Sequence, residues 1–74
     1  MERYLIEAME GQAKIMIFYL DGKNRITQRI IRVIKLTDHY LLAYCYYRKQ
    51  IRAFKFDHIL SYGPAKRYQA KKAI

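Results

Sequence analysis

Apolar side chains recur at short intervals along most of this chain, and turn residues separate the apolar stretches. Residues 14–20 are almost entirely apolar and end at Asp21-Gly22, a pair that favours a tight reversal of the chain. In residues 39–47, alternate side chains form two sets, as they do on the two faces of a β-strand. The pattern predicts about five short antiparallel strands. They cover residues 14–20, 25–36, 39–47, 51–56 and 59–62.

The longest predicted strand, residues 25–36, changes its pattern half-way. Ile26 and Ile30 lie on one face, whereas Ile31 and Val33 continue on the other. A slip of one residue indicates a β-bulge or a bend. Because strongly bent strands allow small barrels to close, we expect a bend at this point in a barrel wall.

A short helix is predicted ahead of the strands, in residues 2–10. Leu5, Ile6 and Met9 form its apolar stripe, and Gly11 is placed to end it. A helix of this length is not stable alone, so we expect it to pack on the sheet. The order of elements predicts a mainly β (α+β) domain, a small Sm-like or SH3-like barrel with an N-terminal helix, in residues 1–64. Residues 65–74 are expected to be a basic C-terminal tail, frayed or weakly helical.

Positive charge dominates the chain, which has 15 Lys and Arg against 6 Asp and Glu, a net charge of +9. The first ten residues hold three Glu and one Arg, a balance of −2, so residues 11–74 carry +11. A small domain with this excess attracts polyanions. The alternative is that the charge only serves solubility, and we favour nucleic acid or another anionic ligand.

Several classes of protein fit the sequence poorly. One cysteine, Cys45, permits no internal disulfide, and with two His it cannot form a zinc site. No apolar run approaches the ~20 residues of a membrane span, and no secretory signal is evident. No Gly-rich phosphate loop or catalytic triad stands out. We therefore expect a cytoplasmic protein that is not an enzyme, needs no cofactor and does not bind a membrane.

Arg52 is the most informative single candidate. It shares a strand face with Phe54 and Phe56, which we expect in the core. A desolvated guanidinium is costly without a partner, so Arg52 should lie at the open end of the barrel. Its partner is then either an internal carboxylate, Asp38 or Asp57, or an anion from outside the protein. The sequence leaves both alternatives open.

Further candidates surround this strand. Arg48 lies in the turn before it, and Arg29 lies on the polar face of the long strand; both could equally be plain exposed charges. Tyr40, Tyr44 and Tyr46 share one face of their strand. Such a stripe is more often core than a stacking platform, but a tyrosine at the rim could stack on a base.

Taken together, these residues resemble the WYL domain family of bacteria. The family has a Trp-Tyr-Leu tripeptide and an Ala-Tyr-Cys-like run, then an Arg, an Ile-Arg-x-Phe strand and Asp-Arg-Ile. The matching residues here are His39-Tyr40-Leu41, Ala43-Tyr44-Cys45, Arg48, Ile51-Arg52-Ala53-Phe54 and Asp57-His58-Ile59. The resemblance covers roughly residues 4–62. It departs at His39 for Trp, at Val33 for a frequent Pro and at His58 for the last Arg.

The resemblance implies an Sm-like barrel that senses a ligand in transcriptional regulation. The ligand would be single-stranded nucleic acid, more so than duplex, or a nucleotide-like anion. Carried over by position, the binding residues would be Tyr40, Arg48 and Arg52, with Arg29 and the altered His58. A histidine at position 58 replaces a permanent cation by a group that is charged only at lower pH.

Family members usually carry this domain behind a helix-turn-helix, for which this chain has no room. The chain would then be a free-standing sensor, an accessory to a regulator protein or a fragment of a longer chain, and Met1 favours an intact small protein. The alternative function is a protein–protein interaction module without a nucleic-acid ligand. In that case exposed edge strands would pair with another chain, an acidic partner or a second copy.

Overall fold

A computed structural model describes residues 2–65, and this part of the chain contains one α-helix and five antiparallel β-strands. The predicted fold class, mainly β with an N-terminal helix, is confirmed. The predicted helix and first strand also have the correct bounds. The elements are α1 (Glu2–Glu10), β1 (Lys14–Leu20), β2 (Ile26–Leu36), β3 (Tyr40–Cys45), β4 (Gln50–Lys55), a 3-10 turn (Phe56–His58) and β5 (Ile59–Pro64).

The five strands form one open sheet in the order β4-β3-β2-β1-β5. In a flat sheet its two edges, β4 and β5, would lie about 19 Å apart, since strands are spaced by about 4.8 Å. Only the three residues Phe56–His58 join these edges. A 3-10 turn rises about 2 Å per residue, so it spans less than half of that distance. The sheet must therefore roll until its edges approach each other.

Ring contacts across the sheet show how far it rolls. Tyr19 of β1 and Phe54 of β4 would be about 14 Å apart in a flat sheet, three strand spacings. Their ring centroids are 5.0 Å apart, in an edge-to-face arrangement. The Tyr19 hydroxyl also accepts a hydrogen bond of 3.2 Å from the backbone N–H of Lys55. Tyr19 thus ties β1 to the far edge of the sheet.

The concave side of the sheet, here called the inner face, carries the core. Leu5 and Ala8 of α1 join this core, and Met9 packs against it. The predicted apolar stripe is wrong at Ile6, which is 40% exposed. Gly11 ends the helix, and its N–H donates to the Glu7 carbonyl at 2.9 Å. Cys45 is fully buried, with a free thiol. The buried inner-face residues of the strands are Ile15, Ile17, Ile31, Val33, Leu41, Ala43, Cys45, Phe54 and Ile59.

The predicted slip in the long strand is misplaced. The register of β2 against β3 shifts between Val33 and Lys35, whereas β2 pairs with β1 without interruption through Ile30 and Ile31. Ile30 lies on the convex side, the outer face, opposite the fully buried Met16. The adjacent isoleucines therefore lie on opposite faces of a regular strand, and each face is partly apolar. They do not indicate a bulge.

The observed register also changes the strand face on which Arg29 lies. This residue has the same parity as Ile31 and Val33, so it lies on the inner face and is half-buried. The expectation that it lies on the polar face of its strand is wrong. Because the strand keeps one parity up to Val33, Thr27 and Arg29 lie on the same side of the sheet as the core residues Ile31 and Val33.

The chain beyond β5 is described only as far as Ala65, which is buried. The rest of the predicted basic tail, residues 66–74, lies outside the described residues. Within residues 2–65, no helix is long and apolar enough to cross a membrane.

Replacing Tyr19 by Phe tests the tie between β1 and β4. The ring contact with Phe54 remains, but the Lys55 N–H loses its acceptor. We expect the free energy of unfolding to fall by about 0.5–1 kcal/mol, the usual net value of a hydrogen bond. Urea denaturation and amide exchange at Lys55 measure the effect. Tyr47→Phe is the control because Tyr47 is 81% exposed; an equal decrease in both variants would contradict the tie.

Candidate anion-binding site

Three arginines line one cleft beside the turn that joins β3 and β4. Ile31 pairs with Cys45, so Arg29, two residues earlier in β2, lies beside this turn. The turn carries Tyr47 and Arg48. The cleft, here called the arginine cleft, has a volume of about 350 Å³. Its lining residues are Asp21, Arg25, Thr27, Gln28, Arg29, Tyr47 and Arg48.

Only some of the hydrogen-bond donors of the Arg29 guanidinium have a partner in this position. Its Nε donates to Thr27 Oγ1 at 3.2 Å, and Thr27 Oγ1 in turn donates to the Tyr19 carbonyl at 3.1 Å. Its Nη1 is buried and has no hydrogen-bond partner among residues 2–65. A buried donor on a cation is costly when unpaired. Arg29 therefore lines the cleft while one of its buried donors stays unpaired among the described residues.

Arg25 is the arginine that the protein itself neutralises. Its Nε donates to Asp21 Oδ2 at 3.3 Å. Asp21 Oδ1 also accepts the backbone N–H groups of Lys23 at 2.8 Å and Arg25 at 2.9 Å. The Arg25 backbone N–H, helped by that of Lys23 and by the Arg25 guanidinium, holds the pKa of Asp21 below its usual value. Among the described residues Asp21 is the one carboxylate that lines the cleft, and no ion pair there involves Arg29 or Arg48.

Arg52 lies on the inner face of β4, half-buried, opposite Ala43. Within residues 2–65 its side chain forms no ion pair or hydrogen bond, and neither Asp38 nor Asp57 contacts it as a partner. Of the two alternatives left by the sequence, the internal ion pair is not formed in this part of the chain. Arg52 does not line the arginine cleft.

The other two predicted site residues lie elsewhere. Tyr40 pairs with Lys55 at the end of β3 away from Arg48, and it is 37% exposed. His58 is half-buried in the 3-10 turn, and its ring centroid is 5.8 Å from that of Tyr19. The structure thus brings Arg29 and Arg48 to one cleft and spreads Tyr40, Arg52 and His58 around the sheet.

Five lining residues were missed by the sequence reasoning: Asp21, Arg25, Thr27, Gln28 and Tyr47. Tyr47 was expected on the same strand face as Cys45, but β3 ends at Cys45 and Tyr47 projects from the turn. Thr27 and Arg29 are two residues apart in one strand, a spacing that places both on one face. That spacing was the available signal, and the assumption of a polar outer face concealed it.

A larger cleft of about 520 Å³ lies between α1 and the bulge of β2. Ile6, Met9 and Ile34 form much of its wall, and its charged lining residues are Lys35 and Asp38, of opposite sign. This cleft offers no net attraction to an anion. Within residues 2–65, no group of His, Cys, Asp and Glu is arranged to hold a metal ion.

No protein-family model matches the chain, and no curated protein matches it. Among solved structures, the chain is similar to proteasome accessory factor B/C (PafBC) of Arthrobacter aurescens, with 22% sequence identity and a TM-score of 0.68. The match covers 85% of this chain and only 11% of PafBC. PafBC contains a WYL domain, so the similarity supports a WYL-like fold for this chain.

The carboxyl of Asp21 provides a titration test of the cleft. Its pKa lies below the usual 3.8, so the stability it contributes is complete above pH 3.8 and is lost as the pH falls through the lowered pKa. In Arg25→Gln the pKa of Asp21 should rise only part of the way, because the Arg25 backbone N–H remains. Carboxyl ¹³C NMR measures this. Arg48→Gln is the control, and an unshifted Asp21 pKa in the unmodified protein would contradict the hydrogen-bonded turn.

Proposed function

We propose that this chain is a binding module, not an enzyme, and that its arginine cleft takes a phosphate group. The ligand is single-stranded nucleic acid or a nucleotide-like anion, and binding serves a regulatory role. The observation that carries the proposal is the meeting of Arg29 and Arg48 in one cleft, where neither guanidinium has a carboxylate partner among residues 2–65.

The charge distribution supports an anionic ligand. The five strands contain six Lys or Arg and no Asp or Glu. The described carboxylates lie in α1 and in turns. The one ion pair among residues 2–65, Arg25–Asp21, involves no strand residue, so the strand cations remain available to a negatively charged ligand.

The chemistry of the cleft suits phosphate in particular. Guanidinium groups present parallel N–H donors that match phosphate oxygens in pairs. Tyr47 is exposed at the rim, where its ring can stack on a base. Arg52 supplies a further unpaired guanidinium on the inner face, and Tyr40 and His58 would contact only a ligand that extends along the sheet.

The structural similarity to PafBC is compatible with a regulatory module. This similarity supports the fold. The proposed ligand is argued from the geometry of the cleft and not from the similarity. A module of this kind would act by presenting its occupied cleft to a regulator protein.

Arg29→Met separates a ligand role from a structural role. Loss of a charged donor should weaken binding of ATP, the nucleotide probe, about tenfold or more, since such bonds contribute about 1.5–3 kcal/mol. Removing a buried unpaired donor should leave the free energy of unfolding unchanged or raise it. Calorimetric titration and urea denaturation measure the two quantities.

Arg3→Met is the matched control because Arg3 is exposed on α1, away from the cleft. It makes the same side-chain change and should leave ATP affinity nearly unaltered. An Arg29→Met protein that is less stable but binds ATP like the unmodified protein would show that Arg29 is structural.

A protein–protein interaction module is the second candidate, favoured by the free edge of β4. In residues 2–65 this strand pairs with β3 alone, and Ile51 on it is 60% exposed. Exposed edges accept strands from other chains. Size-exclusion chromatography with and without a 12-nucleotide thymidine strand distinguishes the candidates. A stable oligomer that ignores the oligonucleotide favours the interaction module.

A further inference from the structure

The outer face of the sheet carries a second basic and aromatic surface, which the arginine cleft does not include. We call it the outer platform and define it by Lys14, Arg32, Tyr44 and Tyr46. Tyr46 follows β3 directly, and its N–H donates to the Ile30 carbonyl at 3.1 Å, so it continues the strand pairing. These four residues lie on three neighbouring segments: β1, β2, and β3 with its extension.

Two cations of the platform are held side by side. Lys14 and Arg32 are direct cross-strand partners, and Arg32 is in turn opposite Tyr44. Like charges directly opposite each other destabilise a sheet. No strand residue is acidic, so no carboxylate in the sheet offsets this repulsion. An anion bound between Lys14 and Arg32 would relieve it.

The aromatic half of the platform is built around the same cations. The Tyr44 and Tyr46 ring centroids are 5.0 Å apart, edge to face. Lys14 Nζ lies 4.7 Å from the centroid of the Tyr46 ring. Within residues 2–65 neither tyrosine hydroxyl has a hydrogen-bond partner. The ring–ring contact and the lysine–ring contact hold these tyrosines on the convex side of the sheet.

The surface continues along β3. Lys35 pairs with Leu42, and Lys55 pairs with Tyr40, so two further lysines flank the same face. Both lysines are exposed. The acidic helix α1 packs its apolar stripe into the core on the inner face. The strands therefore present four cations and no carboxylate on the outer face.

We propose that the outer platform binds single-stranded nucleic acid. Lys14 and Arg32 contact successive phosphates, and Tyr44 and Tyr46 stack on bases. Sequence-tolerant binding of single strands uses this combination of a cationic track and aromatic rings. A duplex hides its base faces, and an acidic protein offers no planar bases to the tyrosines. The proposal is independent of the arginine cleft.

The charge pair is tested with Lys14→Gln/Arg32→Gln and a labelled 12-nucleotide thymidine strand. The slope of log affinity against log salt should become shallower by about 1.4, or 0.7 for each phosphate that the variant no longer neutralises. Arg3→Gln/Lys23→Gln removes the same charge from exposed positions off the platform and should change the slope much less. Fluorescence anisotropy at several salt concentrations measures both. Equal changes in the two double variants would overturn the proposal.

The stacking role is tested with Tyr46→Leu and Tyr46→Phe. Leucine should weaken binding of the thymidine strand at least about fivefold, the lower value for loss of one stacked base. Phenylalanine keeps the ring and should bind like tyrosine. Tyrosine fluorescence of the unmodified protein, which has no Trp, should also be quenched by the strand. This measurement needs no variant to fold, and unquenched fluorescence at saturation would overturn stacking.

Two comparisons separate this proposal from the arginine cleft. ATP affinity should be unchanged in the platform variants, whereas Arg29→Met should lower ATP affinity and leave the dependence of thymidine-strand binding on Tyr46 unchanged. A duplex of the same length that binds as tightly as the single strand, with no dependence on Tyr46, would reduce the platform to a general basic surface and overturn the proposal.

Discussion

The short connection between β4 and β5 is the constraint on which the rest of the structure depends. Three residues cannot bridge a flat five-stranded sheet, so the sheet must roll toward one side. Rolling brings Tyr19 against Phe54 and encloses the apolar inner face. It also carries polar residues of that face, Thr27, Arg29 and Arg52, into partial burial. The candidate binding residues are half-desolvated as a direct result of how the sheet closes.

Much of the fold follows from the sequence because its signals are local. Gly11 and the Asp21-Gly22 turn fix the ends of α1 and β1, and both elements have the predicted bounds. The position of the bulge does not follow from local signals. The adjacent Ile30 and Ile31 suggested a slip, but Met16 across the sheet gives Ile30 an apolar partner on the outer face. Only the pairing of β1 with β2 contains that information.

The site is less predictable than the fold for the same reason. Arg48 and Arg52 stand out by sequence, yet Arg48 shares a cleft with Arg29, 19 positions earlier, and Arg52 does not line it. The cross-strand register determines which of them meet. The tyrosine stripe of β3 left two interpretations open, and the burial of Leu41, Ala43 and Cys45 shows that the tyrosines occupy the opposite face. The core therefore contains Leu41, Ala43 and Cys45 of β3, and the larger tyrosine rings of this strand lie on the outer face.

The burial of Cys45 has a consequence for how the opening of this domain can be followed. Its thiol is the chain's single sulfhydryl, and it is fully shielded in the middle of the core, next to Ile31 across the strand pair. An alkylating reagent reaches it only when the core opens around the end of β3. The rate of alkylation therefore reports the frequency of that opening without any engineered label. A ligand that binds only the closed form of the domain would slow the reaction as its occupancy rises.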